Sequence, residues 1–251
     1  MENLPLQFQK LNRAEQWRKL PEKKQQELIN INIDNVKEKI IKVKDLDKLT
    51  YAINSALPAS GTVYVEDKGQ KWNGSGFLLN NGRFITAYHV IEDISKAANI
   101  IIMFDRNGPE YPAKVAASSP EIDTAILILL QIPKNIKPVM LANPGDVVVG
   151  EQIAVIGSPS GWQNVVTTGR VSAVQQNLGH LEKSLQDFIL IDADIEPGSS
   201  GSMVIDTDGK VIGMVSALIG EYAEVGIGKK AVIPVSKLIQ LIRQTHINSN
   251  I

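Results

Sequence analysis

Glu196-Pro197-Gly198-Ser199-Ser200-Gly201-Ser202 lies between two apolar runs, Phe188-Ile189-Leu190-Ile191 and Met203-Val204-Ile205. Short apolar runs broken by glycine, proline and serine read as strands joined by a tight connection. A serine flanked by glycines is held on such a connection with its hydroxyl exposed and nearby backbone N–H groups turned outward. An acyl-transfer nucleophile and its oxyanion hole need that arrangement. Alone, the string is also ordinary turn chemistry. Its meaning depends on what else the chain supplies.

The chain has three histidines. His180 lies in a polar stretch and His246 in the C-terminal tail. His89 stands within Arg83-Phe84-Ile85-Thr86-Ala87-Tyr88-His89-Val90. Asp123 directly precedes the apolar run Thr124-Ala125-Ile126-Leu127-Ile128-Leu129. An acid placed there is expected to be at least partly buried, and a buried carboxylate needs a donor such as an imidazole N–H. Taken singly, His89 also reads as a satisfied core histidine and Asp123 as a strand cap. Taken together, the order His89, Asp123, Ser200 is that of chymotrypsin-type enzymes, not of subtilisin or the α/β-hydrolases.

Gly74-Ser75-Gly76-Phe77-Leu78-Leu79, followed by Ile85-Thr86-Ala87-Tyr88-His89-Val90-Ile91, resembles the HtrA/Deg serine proteases. So do Ile156-Gly157-Ser158-Pro159, Gln163 to Ser172, Ile191 to Gly201, Gly209 to Met214 and Val232-Ile233-Pro234-Val235-Ser236. The resemblance runs over about residues 46 to 245, in separate motifs of the right order. It implies a mainly β fold, a chymotrypsin-like double β-barrel, in a protease domain over 58–251 that ends in a helix; residues 1–57 read from their own pattern as a helical, charge-rich N-terminal extension. PDZ domains commonly follow the protease domain in this family; the chain is expected to carry none.

Periodicity agrees. Short strands are predicted near 61–66, 74–80, 83–87, 99–104, 111–117 and 124–129 for a first barrel. A second set falls near 138–142, 151–157, 164–175, 187–193, 202–206, 210–218 and 227–233. Ser236 to Gln244 reads as a closing helix, and Asp47 to Leu57 as a short one before the first strand. Further upstream, Ile29, Ile33, Val36, Ile40 and Val43 recur at steps of four and three, making one apolar stripe. The stripe fits a helix docked on its own barrel, or one that recruits an activating partner or a second copy.

Composition bounds the rest. At 251 residues with 43% hydrophobic content, the chain is long enough for a double barrel and can bury a sizeable core. A net charge of −1 gives no sign of nucleic-acid or anionic-membrane binding. There is no cysteine, so packing alone must hold the fold, which suits a reducing compartment. Met1 to Leu20 has no apolar core or small-residue cleavage site of a signal peptide, and no apolar run approaches a membrane span. The expected location is cytoplasmic. No cofactor or metal is expected.

The resemblance implies roles. Ser200 would be the nucleophile, His89 the general base and Asp123 the group that orients His89. The backbone N–H groups of Gly198 and Ser200 would form the oxyanion hole. The substrate would be a protein or peptide, lying along Ser216, Ala217 and Leu218 as an added strand. Ser216 would support Asp123, or be an ordinary strand serine. Loops near 157–164, 178–187 and 218–228 would order on activation. The other reading is a catalytically silent scaffold whose N-terminal helices recruit partners.

Three departures from the family pattern stand out. Ser199 stands where these proteases usually have Asn, and where trypsin has Asp, so it has no charge to meet a newly cut N-terminus. Ser202-Met203 replaces the usual Gly-Gly-Pro ending, a change expected to adjust packing. Asp194, six positions before Ser200, falls where trypsin keeps its specificity carboxylate. If buried there, it needs a substrate Arg or Lys, or an internal cation such as Lys229 or Lys230.

Overall fold

The computed structural model describes Lys23 and residues 47–158, 164–176, 188–216 and 230–248. The chain divides into two compact units, Met1–Asp47 and Lys48–Ile251. The predicted stripe from Ile29 to Val43 lies outside the described residues, as do Ala217, Leu218, Lys229 and most of the three loops expected to order on activation.

Strands of alternating or continuous burial occupy most of the second unit. The first six are β1 (Ser60–Asp67), β2 (Gln70–Leu78), β3 (Arg83–Thr86), β4 (Asn99–Met103), β5 (Glu110–Ser119) and β6 (Thr124–Leu129). They close into an antiparallel barrel in the order β1-β2-β3-β6-β5-β4, with β4 returning to β1. Next come β7 (Met140–Leu141), β8 (Gln152–Gly157), β9 (Val165–Gln176), β10 (Phe188–Ile191), β11 (Met203–Ile205), β12 (Lys210–Val215) and β13 (Lys230–Pro234). Their order is β11-β8-β9-β10-β13-β12, and pairing of β11 with β12 closes this second ring. The short β7 is attached outside it, parallel to β12. The fold is the mainly β double barrel.

Two helices flank the barrels. In α1 (Lys48–Ala56), Leu49, Ala52 and Ala56 turn inward, and the helix packs on β8. Its first residue, Lys48, pairs with Asp208 at 2.6 Å on the β11–β12 turn. The α2 helix (Val235–Asn248) buries Val235, Leu238 and Leu241. It touches β12 and β13 of one barrel and β5 of the other, and so straps the two together.

Close packing explains the glycines of the Gly74-Ser75-Gly76 motif. A Cβ at Gly76 would overlap the Phe84 ring, and one at Gly74 would overlap the Val90 side chain. Phe84 is fully buried and meets Phe104 edge-on at 5.8 Å. Side chains therefore fill the first barrel, leaving no channel. The β2 strand begins at Gln70, earlier than the predicted 74. Lys68 and Gly69 both have positive φ (49° and 80°), the geometry of a two-residue hairpin whose twist matches its strands.

The segment after His89 is tied back to this hairpin. Asp67, at the end of β1, accepts hydrogen bonds from Ser95 Oγ (2.5 Å) and Ser95 N (2.9 Å). Those bonds, the hydroxyl first, hold the Asp67 carboxyl below its ordinary value of 3.8. A lowered folded-state pKa contributes stability that is present at neutral pH and lost as pH falls through it. Asp67→Asn is therefore expected to lower the thermal midpoint at pH 7, with the gap from wild type closing as pH falls below that ordinary value. Thermal unfolding across that range measures it; a constant gap would contradict the latch.

Candidate active site

Asp123 is 3% exposed and sits between β5 and β6, just after the 3₁₀ turn Pro120–Ile122. Its backbone is left-handed (φ 43°, ψ 46°), a conformation that Asp tolerates better than most residues. The turn swings its carboxylate toward the short 3₁₀ segment Tyr88–Val90, which follows β3. His89 Nδ1 lies 3.0 Å from Asp123 Oδ1 and 2.9 Å from Oδ2. The backbone N–H of His89 also donates to Oδ1 (3.0 Å), and Tyr88 N–H donates to the Asp123 carbonyl (3.1 Å). On the other side, Trp72 Nε1 donates to the Val90 carbonyl at 2.8 Å. The imidazole is thus held from both ends of its own turn.

The second barrel reaches the same carboxylate. Ser216, just after β12 and 2% exposed, donates from Oγ to Asp123 Oδ2 at 2.5 Å. Of the two readings of Ser216, the one that supports Asp123 is the one realised.

Ser200 is 4% exposed, on the turn before β11. Gly198 and Gly201 flank it with φ of 90° and 89°, values that favour glycine. The turn is stapled internally: Ser199 N–H donates to Glu196 O (2.9 Å), Ser202 N–H to Ser199 O (2.8 Å) and Glu196 N–H to Ser199 Oγ (3.3 Å). Ser199 thus caps its own turn instead of meeting a distant charge. The turn is also fastened outward. Ser200 O accepts from Ser75 N (2.9 Å), Gly198 O from Ser75 Oγ (2.9 Å), and Gly201 N–H donates to Val215 O (2.9 Å). Val215 precedes Ser216, and Thr86, three residues before His89, donates from Oγ1 to Ser75 O (2.7 Å). The structure therefore gathers His89, Asp123, Ser200, Gly198 and Ser216 at the seam between the barrels.

Asp194 is placed differently from the sequence expectation. It is exposed, and its carbonyl accepts from Thr167 Oγ1 at 2.7 Å. With Glu196, Ser199 and Ser202 it lines a pocket of only about 20 Å³. No cation pairs with it among the described residues; Lys230 lies on β13, opposite Ile191. The condition set in the sequence, a buried carboxylate at 194, is not met: past the end of β10 at Ile191, Ala193 turns inward while Asp192 and Asp194 turn outward. Ser202 is closely packed. A Cβ at Gly157 would overlap Ser202 Oγ, so Ser202 fills the space that this glycine leaves.

Sequence reasoning missed Ser75, Thr86 and Ser158 as members of the site. Ser75 stood in a quoted motif, and a polar residue between two glycines of an inward-facing strand was its available signal. Among the described residues, no cluster of three His, Asp or Glu side chains is arranged to hold a metal.

Ser216→Ala would leave Asp123 Oδ2 short of a buried donor. A hydrogen bond to a charged group implies a loss of about 1.5–3 kcal/mol. Denaturant unfolding measures this, and an unchanged midpoint would contradict the contact.

Residues 74–214 match the family described as Trypsin-like peptidase domain. A probable periplasmic serine endoprotease, DegP-like, of Chlamydia pneumoniae is 34% identical over 174 residues, covering 68% of this chain and 34% of that protein. Serine protease HTRA1A of Danio rerio is 33% identical over 178 residues, covering 69% and 35%. The chain thus spans about a third of the length of these curated relatives. Among solved structures, an HtrA-type protease, AlgW, with a decapeptide superposes with a TM-score of 0.66 at 25% identity, covering 80% of this chain and 67% of that one. Since the family match spans more than half of the chain and agrees with the fold and the site, this chain belongs to the trypsin-like peptidase domain family, with HtrA proteases among its relatives.

Proposed function

We propose that the chain is a serine endopeptidase that cleaves protein substrates through Ser200, His89 and Asp123. The observation that carries this reading is the His89 Nδ1 contact with both Asp123 oxygens, at 3.0 and 2.9 Å, with the Ser200 turn fastened to the same seam. Asp123 occupies Nδ1, which leaves Nε2 as the ring nitrogen for Ser200. Ser200 Oγ attacks the peptide carbonyl carbon while His89 Nε2 takes the hydroxyl proton. The proton then passes to the leaving amine as the C–N bond breaks, leaving an ester on Ser200. Water deprotonated by His89 hydrolyses that ester and restores the enzyme. The N–H groups of Gly198 and Ser200 would receive the oxyanion in both halves.

A peptide substrate is supported by the structural relatives, HtrA-type proteases solved with a decapeptide and with a tripeptide. Ser216 would begin the substrate rim; Ala217 and Leu218, its expected continuation, lie outside the described residues. Control by loop ordering, by a partner or by self-association through the N-terminal segment is part of the proposal. The self-stapled Ser199 turn supports a route that needs no N-terminal cut. The silent-scaffold alternative draws no support from a site that retains all three side chains.

Reaction with a fluorophosphonate, followed by intact mass, tests the reading. Wild type is expected to gain one adduct on Ser200. Ser200→Ala should gain none, and His89→Ala and Asp123→Asn should label slowly, with kcat on casein lower by about 10⁴-fold for the aspartate change. The losses should not add, because the three groups act as one unit. An unlabelled wild type, or a Ser200→Ala protein with wild-type cleavage, would overturn the proposal.

Exposure of Asp194 sets the expected specificity. A solvent-screened carboxylate contributes about 0–1 kcal/mol to a contact with a cation. Asp194→Ala should therefore change rates after Arg or Lys by less than about fivefold relative to small aliphatic residues. Cleavage-site profiling of both proteins measures it; a wild-type profile dominated by basic residues and lost in the variant would contradict it.

A further inference from the structure

Ser75 has a polar contact at every atom able to make one. Its N–H donates to Ser200 O (2.9 Å) and its carbonyl accepts from Thr86 Oγ1 (2.7 Å). Its hydroxyl accepts from Ser158 N–H (2.8 Å) and has a single proton, which goes to Gly198 O (2.9 Å). The direction of each bond is therefore fixed. The partners come from three segments: β3 of the first barrel, the end of β8 in the second, and the Ser200 turn. Ser75 itself is fully buried.

The consequence lies in the peptide planes. Gripping the Gly198 carbonyl fixes the peptide between Gly198 and Ser199. Gripping the Ser200 carbonyl fixes the peptide between Ser200 and Gly201. The peptide between them carries the Ser200 N–H, one of the two proposed oxyanion donors; its own carbonyl, Ser199 O, accepts from Ser202 N–H (2.8 Å), and the hold on both neighbours narrows the rotation left to it. Gly201 permits the grip, since a Cβ there would overlap the Ser75 carbonyl oxygen. Thr86 refers the whole clamp to the strand that leads into His89.

We infer that the Ser75 hydroxyl is a positioning group, which holds the Ser200 turn with its oxyanion donor aimed at the position where the substrate oxygen becomes charged. It touches no reacting atom and acts through Gly198 and Ser200. This rests on the serine-endopeptidase reading and assigns a further residue to the same site. An interaction made only through the developing oxyanion stabilises the transition state without changing ground-state binding. Loss of the hydroxyl should therefore lower kcat and leave KM in place.

The test uses the full chain with Ser75→Ala and Ser75→Cys, the latter retaining the size of the side chain and a weaker donor. Competent sites are titrated with a fluorophosphonate, and kcat is expressed per titrated site. Inhibition by a peptide boronate, which forms a tetrahedral adduct, is compared with inhibition by a product peptide. For Ser75→Ala, kcat per site is expected to fall about 10- to 100-fold, the scale of misplacing a reacting group by about an ångström. Boronate affinity should fall by a similar factor, KM and product-peptide affinity should stay within about twofold, and Ser75→Cys should fall between. If Ser75→Ala does not fold, Ser75→Cys is read by the same measurements.

Wild-type kcat per titrated site in the variant, or a loss confined to the number of titratable sites, would overturn the inference and make Ser75 a packing residue only. A wild type that forms neither adduct would overturn the endopeptidase reading, and this inference with it. Equal behaviour of variant and active wild type would overturn this inference alone.

Discussion

A buried carboxylate must have its oxygens satisfied, and at Asp123 that requirement governs the alignment of the two barrels. One oxygen takes the His89 backbone N–H, both face His89 Nδ1, and Oδ2 takes the Ser216 hydroxyl from the other barrel. Apolar burial drives the barrels together, but it is non-directional and tolerates small slides. Hydrogen bonds at a seam of low exposure do not, because each unmade one costs about 1–3 kcal/mol. The polar seam selects one alignment among those that bury similar apolar area.

Without cysteines, the alignment has no covalent support. The α2 helix supplies a strap of another kind, touching β5 on one barrel and β12 and β13 on the other. Inside the first barrel, Phe84 and Val90 fill the volume left by Gly76 and Gly74, so the strand carrying Ser75 and the strand leading to His89 are packed side by side. The same glycines that give the motif its appearance in the sequence bring two functional segments within hydrogen-bonding reach. Space and chemistry are met here by one local pattern.

Much of this was legible in the amino-acid order. Strand positions followed from short apolar runs and their polar breaks, because β structure writes its period into the chain. His89, Asp123 and Ser200 stood out by residue type, surroundings and order. The β2 start was missed because the Lys68-Gly69 turn is a weak form of the hairpin signal, lacking an Asn or Asp before its glycine. The surroundings of Asp194 stayed open for a deeper reason. Its place in the chain was correct, but burial depends on how neighbouring segments pack, and no local signal reports that. Ser75 was passed over because its bonds to Gly198 and Ser158 span 123 and 83 residues. Such contacts come into being only when the barrels meet.

That distance in sequence has a mechanical meaning. The proposed base and its carboxylate partner belong to the first barrel, and the proposed nucleophile and oxyanion donors to the second. Their geometry therefore reports the relative placement of two barrels, which one apolar cluster joins across the seam. A rate that depends on the approach of Ser200 to His89 falls steeply with displacements of about an ångström. The clamp through Ser75, Thr86 and Val215 opposes such displacement from both sides of the turn. The nucleophile turn thus takes its coordinates from the first barrel even though its chain belongs to the second, and whatever shifts the seam is felt first at the Ser200 peptide.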